Sequence, residues 1–195
     1  MLLFSTLLAF VPLVFGNPSR YPIVDCTDVG LYSTPTYGLV DAVFSVCASI
    51  TIKGTTKQVC DAILDFRRYS EWNTFVYNAI PPAGVDSPAQ VRVGMPIRFS
   101  STGIPPGSSS NATDIVTVVR RPLLTAWKND ELEALIGHSE HVSAFTPLGG
   151  GWTRYTHWQT QYGEKAREVL LPLKDHFQHQ FEVLARDLKG YVERN

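Results

Sequence analysis

The segment that most constrains this chain spans residues 48–73, where an alternation of period two gives way to a helical period and then to an aromatic corner. Val46, Ala48, Ile50 and Ile52 alternate with Cys47, Ser49 and Thr51, the pattern of a half-buried antiparallel strand. Lys53-Gly54 ends that strand. Thr55 or Thr56 then caps a helix whose apolar positions Val59, Ile63 and Phe66 share a face with Ala62. The helix stops in Arg67-Arg68-Tyr69-Ser70-Glu71-Trp72.

Past this unit, alternating segments recur between turn signals at 75–80, 90–100, 113–120, 123–128, 138–145 and 153–162. With 44–52 they make seven strands, and one early and one late helix complete an antiparallel α+β domain. The late helix carries the clearest pattern. Ala166, Val169, Leu170, Leu173, Phe177, Phe181, Leu184, Leu188 and Tyr191 recur at three and four residues, backed by Lys174, Asp175, Gln178, Glu182, Arg186 and Lys189. Pro172 removes one backbone hydrogen bond and predicts a kink one turn in.

The motif Asp65-Phe66-x-x-Tyr69-x-x-Trp72-Asn73, set after such a strand and helix, resembles the opening of the START-like superfamily, also called SRPBCC. That superfamily includes polyketide cyclases, coenzyme-Q-binding proteins and the birch-pollen-allergen lipid carriers. Gly94-Met95-Pro96-Ile97-Arg98-Phe99 resembles its third strand and Pro122-Leu123-Leu124-Thr125-Ala126-Trp127 its fifth. Residues 145–158 resemble its penultimate turn and last strand, so the likeness spans about 44–194. It implies a helix-grip fold: a curved antiparallel sheet of about seven strands wrapped round a long C-terminal helix, enclosing a hydrophobic cavity. The partner implied is a small hydrophobic ligand, whether lipid, isoprenoid or polyketide-like; no single reaction is implied.

By the same resemblance Ile97, Phe99 and Trp127 look inward. Counting back from Tyr162-Gly163, Thr156, Trp158, Thr160 and Tyr162 share one strand face, taken as the interior, and Tyr155, His157, Gln159 and Gln161 share the other. With Phe177 and Phe181 from the helix, the expected ligand-binding set is Ile97, Phe99, Trp127, Thr156, Trp158, Tyr162, Phe177 and Phe181. Such a wall is mostly apolar, with a few hydroxyls and an indole N–H.

Composition bounds the rest. A chain of 195 residues, 44% hydrophobic and 18% charged, is that of one compact domain able to bury a core and a cavity. Lys and Arg number 17 against 18 Asp and Glu, so no field selects for nucleic acid. Residues 1–16 are apolar and end at Val14-x-Gly16, the composition of a secretory signal peptide. The run falls short of the roughly 20 residues that span a bilayer, and Pro12 interrupts it. The expectation is a cleaved leader, export, and no stable membrane insertion afterwards. Residues 17–43 form an extended lead-in, with Pro18, Pro22, Gly30, Pro35 and Gly38 too closely spaced for a helix. Residues 44–195 are the START-like ligand-binding domain.

Asn111-Ala112-Thr113 is an N-glycosylation acceptor, expected on an exposed loop after Gly107-Ser108-Ser109-Ser110. Cys26, Cys47 and Cys60 allow at most one bridge; Cys47, on the strand face opposite the apolar one, can meet the segment carrying Cys26, three free thiols being the alternative.

Standard catalytic signatures are absent: no Gly-x-Ser-x-Gly elbow, no phosphate-cradling loop between strand and helix, no Cys-x-x-Cys. Gly149-Gly150-Gly151 joins two strands and reads as a hairpin turn. No metal or cofactor is expected. His138 and His141 point to opposite faces of one strand, and the helical pair His176 and His179 lacks a third ligand. His157, His141, Glu140, Asp130, Glu131, Tyr155 and Arg98 are candidates for acid/base work, but none is set against a partner by spacing, so each reads as a surface residue. Three readings result: a secreted binding protein for a small hydrophobic molecule, a cyclase or dehydratase of secondary metabolism using the same cavity, and a defence or interaction protein whose cavity is vestigial. A His or carboxyl group inside the pocket favours the enzyme; a lining of hydroxyls and apolar groups favours the carrier.

Overall fold

The computed structural model describes residues 24–27 and 30–195. The leader expected at 1–16 and the first part of the lead-in lie outside the described residues. Seven strands, β1 (Ala42–Lys53), β2 (Asn78–Ile80), β3 (Pro96–Thr102), β4 (Ser109–Arg120), β5 (Leu124–Asn129), β6 (His138–Gly149) and β7 (Trp152–Tyr162), form one antiparallel sheet. Its order is β1-β7-β6-β5-β4-β3-β2. Helices α1 (Thr56–Leu64), α2 (Glu133–Ile136) and α3 (Lys174–Arg194) complete the α+β, helix-grip architecture, with α3 running along the concave side.

Local chemistry sets the boundaries. Thr55 caps α1 in a reciprocal box: its hydroxyl accepts from the Gln58 amide while the Gln58 side chain accepts from the Thr55 amide. The chain then turns through a 3-10 segment, Phe66–Glu71, and Tyr69 closes the corner by donating its hydroxyl to the Ile63 carbonyl at 2.8 Å. At Pro172, where a kink is expected, the regular helix is interrupted instead: one π turn (Ala166–Leu170) and one 3-10 turn (Leu171–Leu173) precede α3, which starts at Lys174.

Strand β1 is an edge, and α3 covers it. Gln178 grips the Cys47 backbone with both ends of its amide, accepting from the N–H at 3.0 Å and donating to the C=O at 2.8 Å. Glu193 accepts from Lys53 N–H and Lys189 donates to Thr51 C=O, so three helix side chains satisfy the edge that would otherwise pair with another strand. The polar back expected of this helix is therefore partly a clasp.

Two apolar clusters lie on opposite faces. The larger, on the concave side, joins Phe44, Val46 and Ile52 of β1 to α1, the aromatic corner, Phe99, Trp127 and the Phe181, Leu184 and Leu188 stripe of α3. The smaller, on the convex side, contains Cys47, Leu124, Ala126, Val142 and Trp158, with Val24, Cys26 and Tyr32 of the lead-in packed on it. The lead-in is thus a strap across the back of the sheet, pinned by a Cys26–Cys47 disulfide; Cys60 stays free and buried. Trp158 Nε1 donates to Ser33 C=O, Thr160 Oγ1 to Tyr32 C=O, and Tyr162 shares a hydrogen bond with Thr34 while also donating to Gly38 C=O. Glu140, fully buried there, accepts from the Thr36 amide, the Thr36 hydroxyl and the Thr117 hydroxyl.

Candidate ligand cavity

Between the sheet and α3 lies a cavity of about 270 Å³. The register of β4 to β7 arranges the concave face of the sheet in rows. One row carries Asn129, Ser139 and Gln161, with Asp114 beside Asn129; the next carries Val116, Trp127, His141 and Gln159; the third carries Thr125, Ser143 and His157. Phe99 and Ile63 close one side, and Phe177, Phe181 and Leu184 form the helical wall. Ile104, Leu132, Ile136 and Leu173 also border the space.

Of the residues expected to line it, Phe99, Trp127, Phe177 and Phe181 border the cavity. Ile97 is on the same face but is sealed in the core, fully buried. Thr156, Trp158 and Tyr162 are on the convex face, under the strap, and cannot reach a concave-side ligand. The choice of face failed because both faces of β7 are buried, and the larger aromatics fill the side that the lead-in covers. The set Tyr155, His157, Gln159 and Gln161 faces inward instead. Asn111, expected on a loop, lies within β4 opposite Ser100, whose hydroxyl donates to Asn111 Oδ1 at 2.7 Å; the serine run pairs with β3 rather than looping out.

The acid/base candidates also need correction. His141, His157, Tyr155 and Glu140 are buried rather than on the surface. Asp114 and Asn129, not singled out from the sequence, meet at the polar row, Asn129 Nδ2 donating to Asp114 Oδ1 at 2.8 Å. Only their register could have shown this: strand positions of ordinary polarity read as solvent-facing until the partner strands are known. Asp114 is half-buried at the cavity wall, where desolvation pushes its carboxyl up to about 6 against the pull of Asn129.

The imidazoles are fixed by their partners. His157 stacks on Phe181 with centroids 4.7 Å apart and on Tyr155 at 4.9 Å. Its Nε2 lies 3.0 Å from Phe181 C=O, and its Nδ1 lies 3.1 Å from His141 Nε2. Burial holds both rings neutral, His157 down to about 3 and His141 well below its ordinary range, each mainly by desolvation. Among the described residues, no group of three or more His, Cys, Asp or Glu is placed to hold a metal ion, and no helix is long and apolar enough to cross a membrane.

No family model matches the chain, and no curated protein matches it. Solved structures do. A norcoclaurine synthase from Thalictrum, solved with a transition-state analogue, superposes with a TM-score of 0.59 at 10% identity, covering 78% of this chain and 96% of that one. The Zhui aromatase/cyclase from Streptomyces sp. R1128 gives 0.59 at 12% identity, covering 77% and 93%. The major latex-like protein 151 of Panax ginseng gives 0.58 at 11% identity, covering 76% and 96%. At such identities the likeness establishes the fold, and the fold is the helix grip.

Proposed function

From a helix-grip fold with an internal cavity, we propose that this protein encloses one small, mainly hydrophobic molecule of aromatic, isoprenoid or polyketide-like character between its sheet and α3, and that it does so after export. The observation that carries the reading is the cavity itself: about 270 Å³ walled by Phe99, Trp127, Phe177 and Phe181, with one row of hydrogen-bonding groups at Asp114, Asn129, Ser139 and Gln161. Aromatic walls with sparse convergent polar groups suit a molecule that is largely apolar and locally polar. The aromatase/cyclase and the latex-like protein share this architecture. The Cys26–Cys47 bridge supports export, because disulfides persist in oxidising compartments. Native mass spectrometry of the secreted protein tests the reading. The expected mass is that of a chain starting near Asn17, with glycan at Asn111 and one co-purifying small molecule. A full-length, unglycosylated chain overturns the export reading, and failure to bind any apolar probe overturns the cavity reading.

A second reading, a cyclase- or dehydratase-type enzyme, is favoured by one observation: a carboxyl group and an imidazole, Asp114 and His141, both border the cavity. A carboxyl held near 6 is suited to proton transfer at neutral pH. Turnover of a poly-β-ketone surrogate that disappears in Asp114→Asn, with binding retained, distinguishes enzyme from carrier.

A further inference from the structure

The two imidazoles can be read as a wire with one open end. Phe181 C=O is an acceptor only, so His157 Nε2 carries the hydrogen and donates to it. A neutral His157 then has a bare Nδ1, an acceptor, and His141 Nε2 must donate into it. A neutral His141 is left with its own lone pair on Nδ1. That atom has no hydrogen-bond partner among the described residues, yet it is not among their sealed, unsatisfied polar atoms. His141 is only 8% exposed, and the space it borders is the cavity.

The wall around this atom says what complements it. Trp127 meets the His141 ring edge-on at 4.9 Å and Phe181 at 5.2 Å, so flat aromatic surface flanks the acceptor. Among the described residues no Lys or Arg lines the cavity, so a carboxylate or phosphate finds no counter-charge from them there. The missing partner is therefore a donor that carries no negative charge, on a flat body.

Resting on the cavity-binding reading above, we propose that His141 Nδ1 is the acceptor at the aromatic end of the cavity and that the ligand class is a hydroxylated aromatic, a phenol or enol whose O–H points at His141 while its ring lies against Trp127 and Phe181. His157 is a positioning residue: it touches no ligand but fixes the tautomer that keeps the lone pair available.

A matched probe pair tests this. 1-Naphthol and 1-methoxynaphthalene share a body and differ in the donor. Calorimetry on the wild-type protein should show 1-naphthol binding about tenfold more tightly, the effect of one buried hydrogen bond. In His141→Phe, with the ring retained and the lone pair gone, the ratio should fall to near one. Nitrogen-edited NMR of the unliganded wild type should show the Nε2–H tautomer at both rings, and His157→Leu should release that of His141. Equal binding of both probes by the wild type overturns the role of His141 and leaves the cavity reading intact. Binding of dodecanoate but of neither naphthalene overturns the ligand class. Binding of none of the three overturns this proposal and the cavity reading together, and an Nδ1–H tautomer at His141 in the wild type overturns the wiring whatever binds.

Discussion

The convex and concave faces of the sheet are both largely covered, but they treat their polar groups in opposite ways. On the convex face the strap arrives with backbone carbonyls and amides placed against Trp158, Thr160, Tyr162 and Glu140, so that side chains and strap satisfy one another. On the concave face α3 brings mostly apolar side chains, and groups remain over: Thr125 Oγ1 has no partner among the described residues, and His141 Nδ1 opens on the cavity. A backbone segment can match a sheet group for group, whereas a helix facing a sheet has its backbone bonds largely occupied and offers mainly side chains, the Phe181 C=O that accepts from His157 being an exception. The face covered by chain becomes structure, and the face covered by helix keeps capacity for a ligand.

The widest test of that contrast pairs two aromatic truncations. Trp158→Ala and Phe181→Ala each remove a buried ring and should each cost roughly 3–5 kcal/mol of stability. Their effects on ligand should differ. Phe181→Ala, at the cavity wall, should weaken binding of an aromatic probe, and Trp158→Ala should leave the affinity of the remaining folded protein unchanged. Thermal melts and calorimetry at a temperature where both variants are folded decide it. Equal losses of affinity would remove the division between faces.

Next in size is the strap. The bridge spans 21 residues of sequence, and a loop of that order corresponds to about 3 kcal/mol by chain entropy. Replacing Cys26 and Cys47 together by Ser should lower the melting temperature accordingly, with little change in the affinity for a concave-side ligand. A large loss of affinity would mean that the strap shapes the cavity through the sheet.

These tests also mark where sequence reading reached its limit. The period-two runs, the capping signal at Thr55, the corner at Phe66–Trp72 and the stripe of α3 are local patterns, and each reappears as an element, though with moved bounds: the run at 75–80 is a strand only over Asn78–Ile80 and that at 90–100 only from Pro96. The interruption of the α-helix at Pro172 and the pairing open to Cys47 follow from backbone chemistry and strand parity. What stayed illegible depends on a third body. Trp158 and Tyr162 looked interior because large aromatics are buried, and they are buried, but by a lead-in of Pro, Gly and Tyr that carries no periodicity. His141 and His157, two residues of no shared motif, meet only through the register that sets Ser143 against His157 and His141 against Gln159. Gln178, on the polar side of α3, grips an edge strand that its helical pattern does not mention.

The leftover groups of the concave face should also govern the response to acid. In the unfolded chain His157 takes a proton below about pH 6.5, whereas in the fold burial holds it neutral down to about 3. Proton uptake thus favours unfolding, and stability is lost as pH falls through this window, roughly 2 kcal/mol from His157 alone by pH 5. His141, shifted the same way, adds to the loss. Urea midpoints between pH 7 and pH 5 should fall in the wild type and fall less in His157→Gln. A flat profile would mean that water reaches the pair and that this face is wetter than its packing indicates.

The smallest expected effect has the opposite sign and the sharpest meaning. Asp114 is pushed up to about 6 from an ordinary carboxyl near 3.8, so the fold holds its proton more tightly than the unfolded chain does. Its contribution is therefore favourable below pH 4 and is lost as pH rises towards 6, above which the fold carries a penalty. Asp114→Asn keeps an acceptor for Asn129 Nδ2, removes the charge, and should stabilise the protein at pH 7 by about 1–2 kcal/mol, while changing nothing at pH 4. If Asp114→Asn destabilises at neutral pH, the carboxylate is bonded more fully than Asn129 alone accounts for, and the polar row belongs to the architecture, as the convex face does.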